Sequence, residues 1–351
     1  MGNIKVRESS FELIRLLAML MIVIYHQYCH HIQLSFETSF NKAIWIPLHI
    51  GVPLFLLISG YWGIRVSGKS LFRLLGQMFI YGVSLLLIYN YLEGIGGGKA
   101  TLKTLFFVSN SPYWFMRTYL YLFLFSPVIN KYLDGITLRN RICLLLALGF
   151  IALYVGTLGW DLSLRDGKNL ICFIFVYVIG DTLRVYEKEW RKIHIGYLIS
   201  IYVAMNLIVF VCYYIFYDAF IGKLIWRLFF PYQSPGLIVN GVFFFLIVLH
   251  WQFKSKAVNW LASSALAIYL IHESRLVETY VLGPVSLSIR DYMGSDLMTL
   301  PVIVILALIV CIVCILVDKL LKPLWRWFVC IGECLERGIN ASFNYYINKR
   351  K

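Results

Sequence analysis

The stretch FELIRLLAMLMIVIYHQYCHH, residues 11–31, decides the class of fold. A continuous apolar run of about twenty residues is the length of helix that crosses ~30 Å of hydrocarbon. Runs of this kind recur at about 11–32, 45–64, 74–92, 113–133, 141–158, 169–185, 195–217, 236–253, 260–281 and 299–318. They predict an all-α, polytopic membrane protein, a bundle of about ten transmembrane helices. The runs are too long and too evenly apolar for barrel strands, and helices satisfy their own backbone groups in lipid.

Composition agrees. Of 351 residues 60% are hydrophobic and 14% charged, whereas a soluble domain carries about a quarter charged residues. Soluble, disordered and disulfide-stapled classes are excluded, and the cysteines fall mostly in apolar runs, where they read as packing residues. The net charge of +14 is distributed unevenly. Arg65, Lys69, Arg73, Lys131, Arg139, Arg141, Arg184, Lys188, Lys254, Lys319 and Lys322 fall on the side of the N-terminus. The other side holds Lys42, Lys99, Lys103, Arg165, Lys168, Lys223, Arg227 and Arg290. By the positive-inside rule both termini are cytoplasmic and the protein is a multi-pass component of the cell's inner membrane. The charge is thus an orientation signal, and no nucleic-acid partner is expected.

Residue Arg15 inside the first run, and the run's length, argue against a cleavable signal peptide. Residues 1–320 are expected to form the transmembrane domain. Residues 321–351, with Trp325, Trp327 and Phe328 among basic residues, are expected to form a cytoplasmic helix on the membrane surface. Two loops on the other side are long: 93–112 with Gly96, Gly97 and Gly98, and 218–235, rich in aromatics. They read as partly re-entrant lids or as ordinary interfacial loops.

An ionisable group near the bilayer centre costs about 2.5–3.5 kcal/mol on insertion scales, so embedded polar residues point to function. They are Glu12, Arg15, His26, His30, His49, Arg117, Asp181, His272, Glu273, Arg275 and Glu278. Arg15 and His26 are eleven residues apart, close to three helical turns, which puts both on one face about 16 Å apart. A cation at one level and a proton acceptor at the other suit a substrate with an anionic end and a reacting far end, and a neutral His26 suits a general base. The structural alternative pairs Arg15 with Glu12 and makes His26 polar glue between helices. Three imidazoles, of His26, His30 and His49, also stand at similar depth. Gln27 follows His26 where H-E-x-x-H needs Glu, and Leu276 stands where His272-Glu273 would need its second His, so no metal is expected.

The first run, with an acidic residue three before an Arg and the spacing R-x10-H, resembles the first span of the acyltransferase-3 family of integral membrane acyltransferases. GVPLFLLISGYWGIR (51–65) is similar to that family's F-x-x-S-G segment, SPYWFMRTYLYLFLFSP (111–127) to its aromatic W-F segment, and SSALAIYLIHE (263–273) to its S-x-x-x-x-Y-L-x-H segment. The resemblance implies transfer of an acyl group, usually acetyl, from cytoplasmic acetyl-CoA to a hydroxyl on the far side of the membrane, on a surface glycan or a lipid-linked sugar. His26 matches the family's essential His and Arg15 its paired Arg. Arg65, Lys69 and Arg73 match the region that contacts CoA phosphates, although R-x-x-R is replaced by Lys69 and Arg73 at i and i+4. No extra hydrolase-like domain is read in the sequence, so the transfer is expected to be completed within the bundle. Arg117 and His272 are the expected oxyanion donors. The rival from another class is a transporter or flippase of a lipid-linked sugar, which would show paired halves with broken helices in corresponding positions.

Overall fold

The computed structural model describes residues 8–32, 39–95, 113–159, 161 and 163–349, with single positions 102, 104, 106 and 108. Gly96, Gly97, Gly98, Lys99 and Lys103 of the first long loop, and Ser111 and Pro112 of the aromatic motif, lie outside these residues. The described residues contain helices and connecting turns and no strand. In chain order the helices used below are α1 (Ser9–His26), α2 (Ser39–Leu48), α3 (Gly51–Trp62), α4 (Gly68–Gln77), α5 (Ser84–Leu92), α6 (Trp114–Leu133), α7 (Leu138–Gly149) and α8 (Leu170–Val185). They continue as α9 (Ile195–Ile215), α10 (Phe220–Phe229), α11 (Pro235–Leu249), α12 (Lys256–Ala262), α13 (Ala265–His272), α14 (Gly283–Met293) and α15 (Asp296–Lys349). Wider π-helical turns prolong α1 (Gln27–Ile32), α4 (Met78–Val83) and α7 (Phe150–Leu158).

Six of these stretches are long and apolar enough to cross a membrane: Ser9–Ile32, Ala43–Trp62, Gly68–Leu92, Leu138–Leu158, Ile195–Ile215 and Leu297–Ser342. Four of the runs read as spans in the sequence take other forms in the structure. Helices α8 and α11 have 16 and 15 residues, about 22–24 Å of rise, which is less than the hydrocarbon thickness. The run 260–281 is not one helix, because it breaks after Ala262 and again after His272. Finally, the run at 299–318 does not stop there, since α15 is 54 residues long in all and ends at Lys349 in the basic tail.

Local chemistry accounts for the boundaries. Ser67 and Ser70 form a capping box at the start of α4, Asn169 caps α8 through Cys172 N at 3.0 Å, and Pro235 opens α11, where its missing N–H costs nothing. Gly63, at φ 70°, ends α3 in a conformation that disfavours other residues.

Helix α1 is central, packed against α3, α11, α12, α13 and α15. Helices α3 and α8 approach closely through two glycines. A Cβ on Gly60 would stand 1.9 Å from the Tyr177 carbonyl oxygen, and one on Gly180 2.3 Å from that of Leu57. Tyr177 secures the end of this pair, accepting from Ile64 N at 2.8 Å and donating to Asn130 at 2.7 Å. The Ala43–Trp62 stretch is 78% buried and Ile195–Ile215 only 11%. Outward faces carry Val128, Leu146, Leu207 and Ile305, all more than half exposed. Such an apolar periphery belongs in lipid.

Replacing Gly60 or Gly180 with Leu should cost at least about 2 kcal/mol, because the added carbons meet backbone that cannot rotate away. Gly338, with nothing within 4 Å of its added Cβ, should accept Ala without loss. Thermal melting of the purified protein in detergent compares the three.

Candidate active site

One stripe of α1 builds the site. Glu12, Arg15, Met19, Ile22 and His26 recur at intervals of three and four, the spacing of one helical face, and all five line a cavity of about 350 Å³. Facing them are Val52, Phe55 and Ser59 of α3, Phe115, Met116 and Tyr119 of α6, and Leu266 and Tyr269 of α13. Arg15, Glu12, Arg73, Gln77 and Ser263 mark one end of this cavity, and His26 and His49 the other. Arg15 Nη1 donates to Glu12 Oε1 at 2.6 Å. The pairing foreseen as a structural alternative is therefore present, and both residues nonetheless face the cavity.

His26 sits where α1 widens into its π-helical turn, a distortion common at functional sites. Its Nδ1 lies 3.0 Å from His272 Nε2. It is also 2.5 Å from Glu273 Oε2, which stands beside the ring N–H direction and receives no aligned hydrogen bond. The tautomers follow from the outermost contact. His272 Nδ1 is 2.6 Å from the Ile268 carbonyl oxygen, which only accepts, so Nδ1 carries a hydrogen and Nε2 of neutral His272 is an acceptor. In its neutral form His26 then carries its hydrogen on Nδ1 and has its lone pair on Nε2. Glu273 stabilises positive charge on that ring when a proton arrives.

The second break in the 260–281 run is what delivers Glu273. The chain leaves α13 at His272, and Ser274 caps a new turn through Val277 N at 3.3 Å. The turn aims the carboxylate at α1. Further along, Glu278 pairs with His30 Nδ1 at 2.6 Å, and the His30 ring stacks on His26 at 4.9 Å and 10°.

A second cavity, of about 260 Å³, lies beyond His26 and is lined also by His30, Asp166, Lys168, Trp226, Phe230 and Glu273. Tyr25, His26, His49, Trp114 and Tyr232 line both cavities. Tyr232 is held there by two loops. Its N–H donates to the Asp166 carbonyl at 3.1 Å, and the left-handed pair Asp166 (φ 62°) and Gly167 (φ 69°) lies so close that a Cβ on Gly167 would be 2.5 Å from Gln233 N. The 218–235 loop is therefore a helix, α10, followed by an ordered turn that walls both cavities.

Set beside known families, this bundle matches the family model for acyltransferase-3, described as an acyltransferase domain, over residues 8–319. The chain belongs to the acyltransferase-3 family. Its general activity is that of a membrane acyltransferase. No curated protein and no solved structure matches the chain.

For this acyltransferase the residues expected from sequence separate into those that meet at the cavities and those that do not. Arg15, His26 and Arg73 line a cavity, and His272 holds His26 from behind with both ring nitrogens engaged. Neither nitrogen of His272 is left for an oxyanion. Arg117 lines neither cavity and makes no side-chain hydrogen bond or ion pair among the described residues. Its place on α6 turns it away from the neighbouring Met116, which does line the cavity. Lys69 pairs with Glu333 of α15 at 2.8 Å, and Arg65 is exposed. Neither lines the cavity.

Glu273 and His49 were among the embedded polar residues of the sequence, and the structure sets them, with the unforeseen Tyr232, in the cavity walls. One ligand atom each from His26, His30 and Glu273 lies within 4.8 Å of the others. This is a different set from the three imidazoles weighed on sequence, with the carboxylate in place of His49, whose ring lies against Tyr25 and Tyr232.

Glu273→Gln preserves shape and removes charge. It withdraws the carboxylate 2.5 Å from His26 Nδ1, so any step that leaves a proton on that ring should slow at least about tenfold. Melting should stay within a few degrees. Rates of acyl-CoA consumption by purified wild type and variant check this.

Proposed function

We propose that this acyltransferase moves an acyl group, acetyl foremost, from acyl-CoA to a hydroxyl of a cell-surface or lipid-linked glycan, with His26 as general base. The observation that carries the reading is the position of His26 in the common wall of two cavities, with Nδ1 engaged by His272. The donor enters at the end marked by Arg73 and Arg15, where guanidinium groups suit the anionic end of CoA. Its thin pantetheine arm runs along the α1 stripe and brings the thioester to His26. The acceptor approaches through the second cavity, whose Trp114, Trp226 and Tyr232 offer the flat apolar faces that sugar rings stack on, beside the charged Lys168 and Asp166.

In the reaction His26 Nε2 takes the acceptor's hydroxyl proton as its oxygen attacks the thioester carbon. The resulting imidazolium, stabilised by Glu273, returns the proton to the departing thiolate. Direct transfer needs no acyl-enzyme. By the positive-inside rule the Arg73 end faces the cytoplasm and the second cavity the far side, in a multi-pass protein of the cytoplasmic membrane. Residues beyond 320 form the basic tail on the cytoplasmic side.

His26→Ala should abolish acetylation of the surface glycan while protein level and membrane insertion hold. Unchanged acetylation sinks the assignment. A change in the amount of exported glycan with acetylation intact establishes the transporter reading instead. Substituting Lys69 and Arg73 together should raise KM for acetyl-CoA several-fold, on the order of 1 kcal/mol of binding, with little change in kcat. Because Lys69 is held by Glu333, Arg73→Ala alone should give most of that rise in steady-state kinetics.

A further inference from the structure

His49 is buried, 8% exposed, and neither of its ring nitrogens has a hydrogen-bond partner. A neutral imidazole always offers one donor and one acceptor, and buried polar atoms are satisfied in the great majority of cases. The ring lines both cavities while its two nitrogens are enclosed and unsatisfied, which points to a partner that reaches them when the substrates arrive.

The ring is also fixed. It lies parallel on Tyr25 at 4.6 Å and 16° and meets Tyr232 edge-on at 4.5 Å and 74°. Tyr25 also contacts the ring of His26, at 5.7 Å. The two imidazoles thus share one tyrosine neighbour, and all three residues line both cavities. Their surroundings differ: His26 is held by His272 and Glu273 as a base, while His49 has aromatic neighbours and no carboxylate bonded to it. A neutral ring with a free N–H in an apolar, preorganised setting is the group that stabilises charge developing on a carbonyl oxygen.

Building on the acyl-transfer reading above, we propose that His49 donates the hydrogen bond to the thioester carbonyl oxygen as it becomes an oxyanion. The acceptor oxygen bonds to the carbonyl carbon while its proton passes to His26 Nε2, and the carbonyl π pair moves onto oxygen opposite the His49 N–H. Re-formation of the C=O then breaks the C–S bond, and the thiolate takes the proton back from His26. His49 keeps its proton throughout. This is the role that Arg117 and His272, by their placement, do not fill.

Two substitutions separate the chemistry from packing. His49→Phe keeps a ring between Tyr25 and Tyr232 and removes both nitrogens. His49→Gln keeps an N–H and loses the ring. Both are assayed in lipid nanodiscs with radiolabelled acetyl-CoA and the envelope glycan fraction of cells lacking the protein, with acetyl-CoA varied to separate kcat from KM. His49→Phe should lower kcat roughly hundredfold, the usual effect of losing one oxyanion donor, with KM for acetyl-CoA within about threefold. His49→Gln should retain at least about tenfold more activity than His49→Phe. A packing role gives the reverse order, so His49→Phe near wild type, or both variants equally depressed, overturns the proposal. If wild type itself labels no glycan, the acyl-transfer reading with a glycan acceptor falls first and takes this step with it.

Discussion

A carboxylate enclosed by helices has no water to draw on, and Asp318 and Asp181 collect their donors from more than one segment. Asp318 of α15 accepts from Ser264 at 2.6 Å, Tyr81 at 2.7 Å, Trp325 at 3.1 Å and Gln77 at 3.4 Å. It thereby joins the first break in the 260–281 run to the helix that carries Arg73. Asp181 does the same at the end of α8, pairing with Arg141 at 2.5 Å and with Arg184. Glu273 differs from both, because its nearest partner is a titratable ring in the wall of a cavity. Two carboxylates fix the frame, and the third faces the space where substrates fit.

The same constraint explains why the run at 260–281 is broken. A continuous helix would leave Ser264 and Glu273 at positions dictated by its own periodicity. The breaks free each to meet a partner set by other helices: Asp318 for Ser264, His26 for Glu273. The cost is a loss of backbone hydrogen bonds at both points, which Ser274 and the contacts of its turn partly replace. Glycine plays the complementary part at α3 and α8, where the absence of two side chains lets backbones touch.

Much of this was legible in the sequence where periodicity governs. The membrane class, the stripe that joins Arg15 to His26, and the family motifs all follow from spacing within single helices. What escaped depends on contacts between distant segments. His26 and His272 are 246 residues apart, and nothing local shows that the residue after His272 turns toward α1. Lys69 reads as a free cation until Glu333 of the tail is brought beside it. Arg117 illustrates the converse, since its intramembrane position marked it as important, while the side of α6 it occupies was set by packing. His49 was visible as an embedded ring, and only the satisfied state of its neighbours shows that it stands apart from them. The runs at 169–185 and 236–253 read as spans because hydropathy measures composition, and composition does not fix where the helices α8 and α11 end.

Helix α15 passes from the bundle into the tail without a break. Beyond the bundle it is anchored on α4, where Gly332 and Gly68 meet and Glu336 accepts from Gly68 N at 3.0 Å. At about 1.5 Å per residue its 54 residues make a shaft of roughly 80 Å. A protein of this size with little mass outside lipid offers few features by which images of single particles can be aligned. A soluble domain fused in helical register to this shaft would hold a fixed orientation relative to the cavities, and so would serve as the marker that imaging of the enzyme requires.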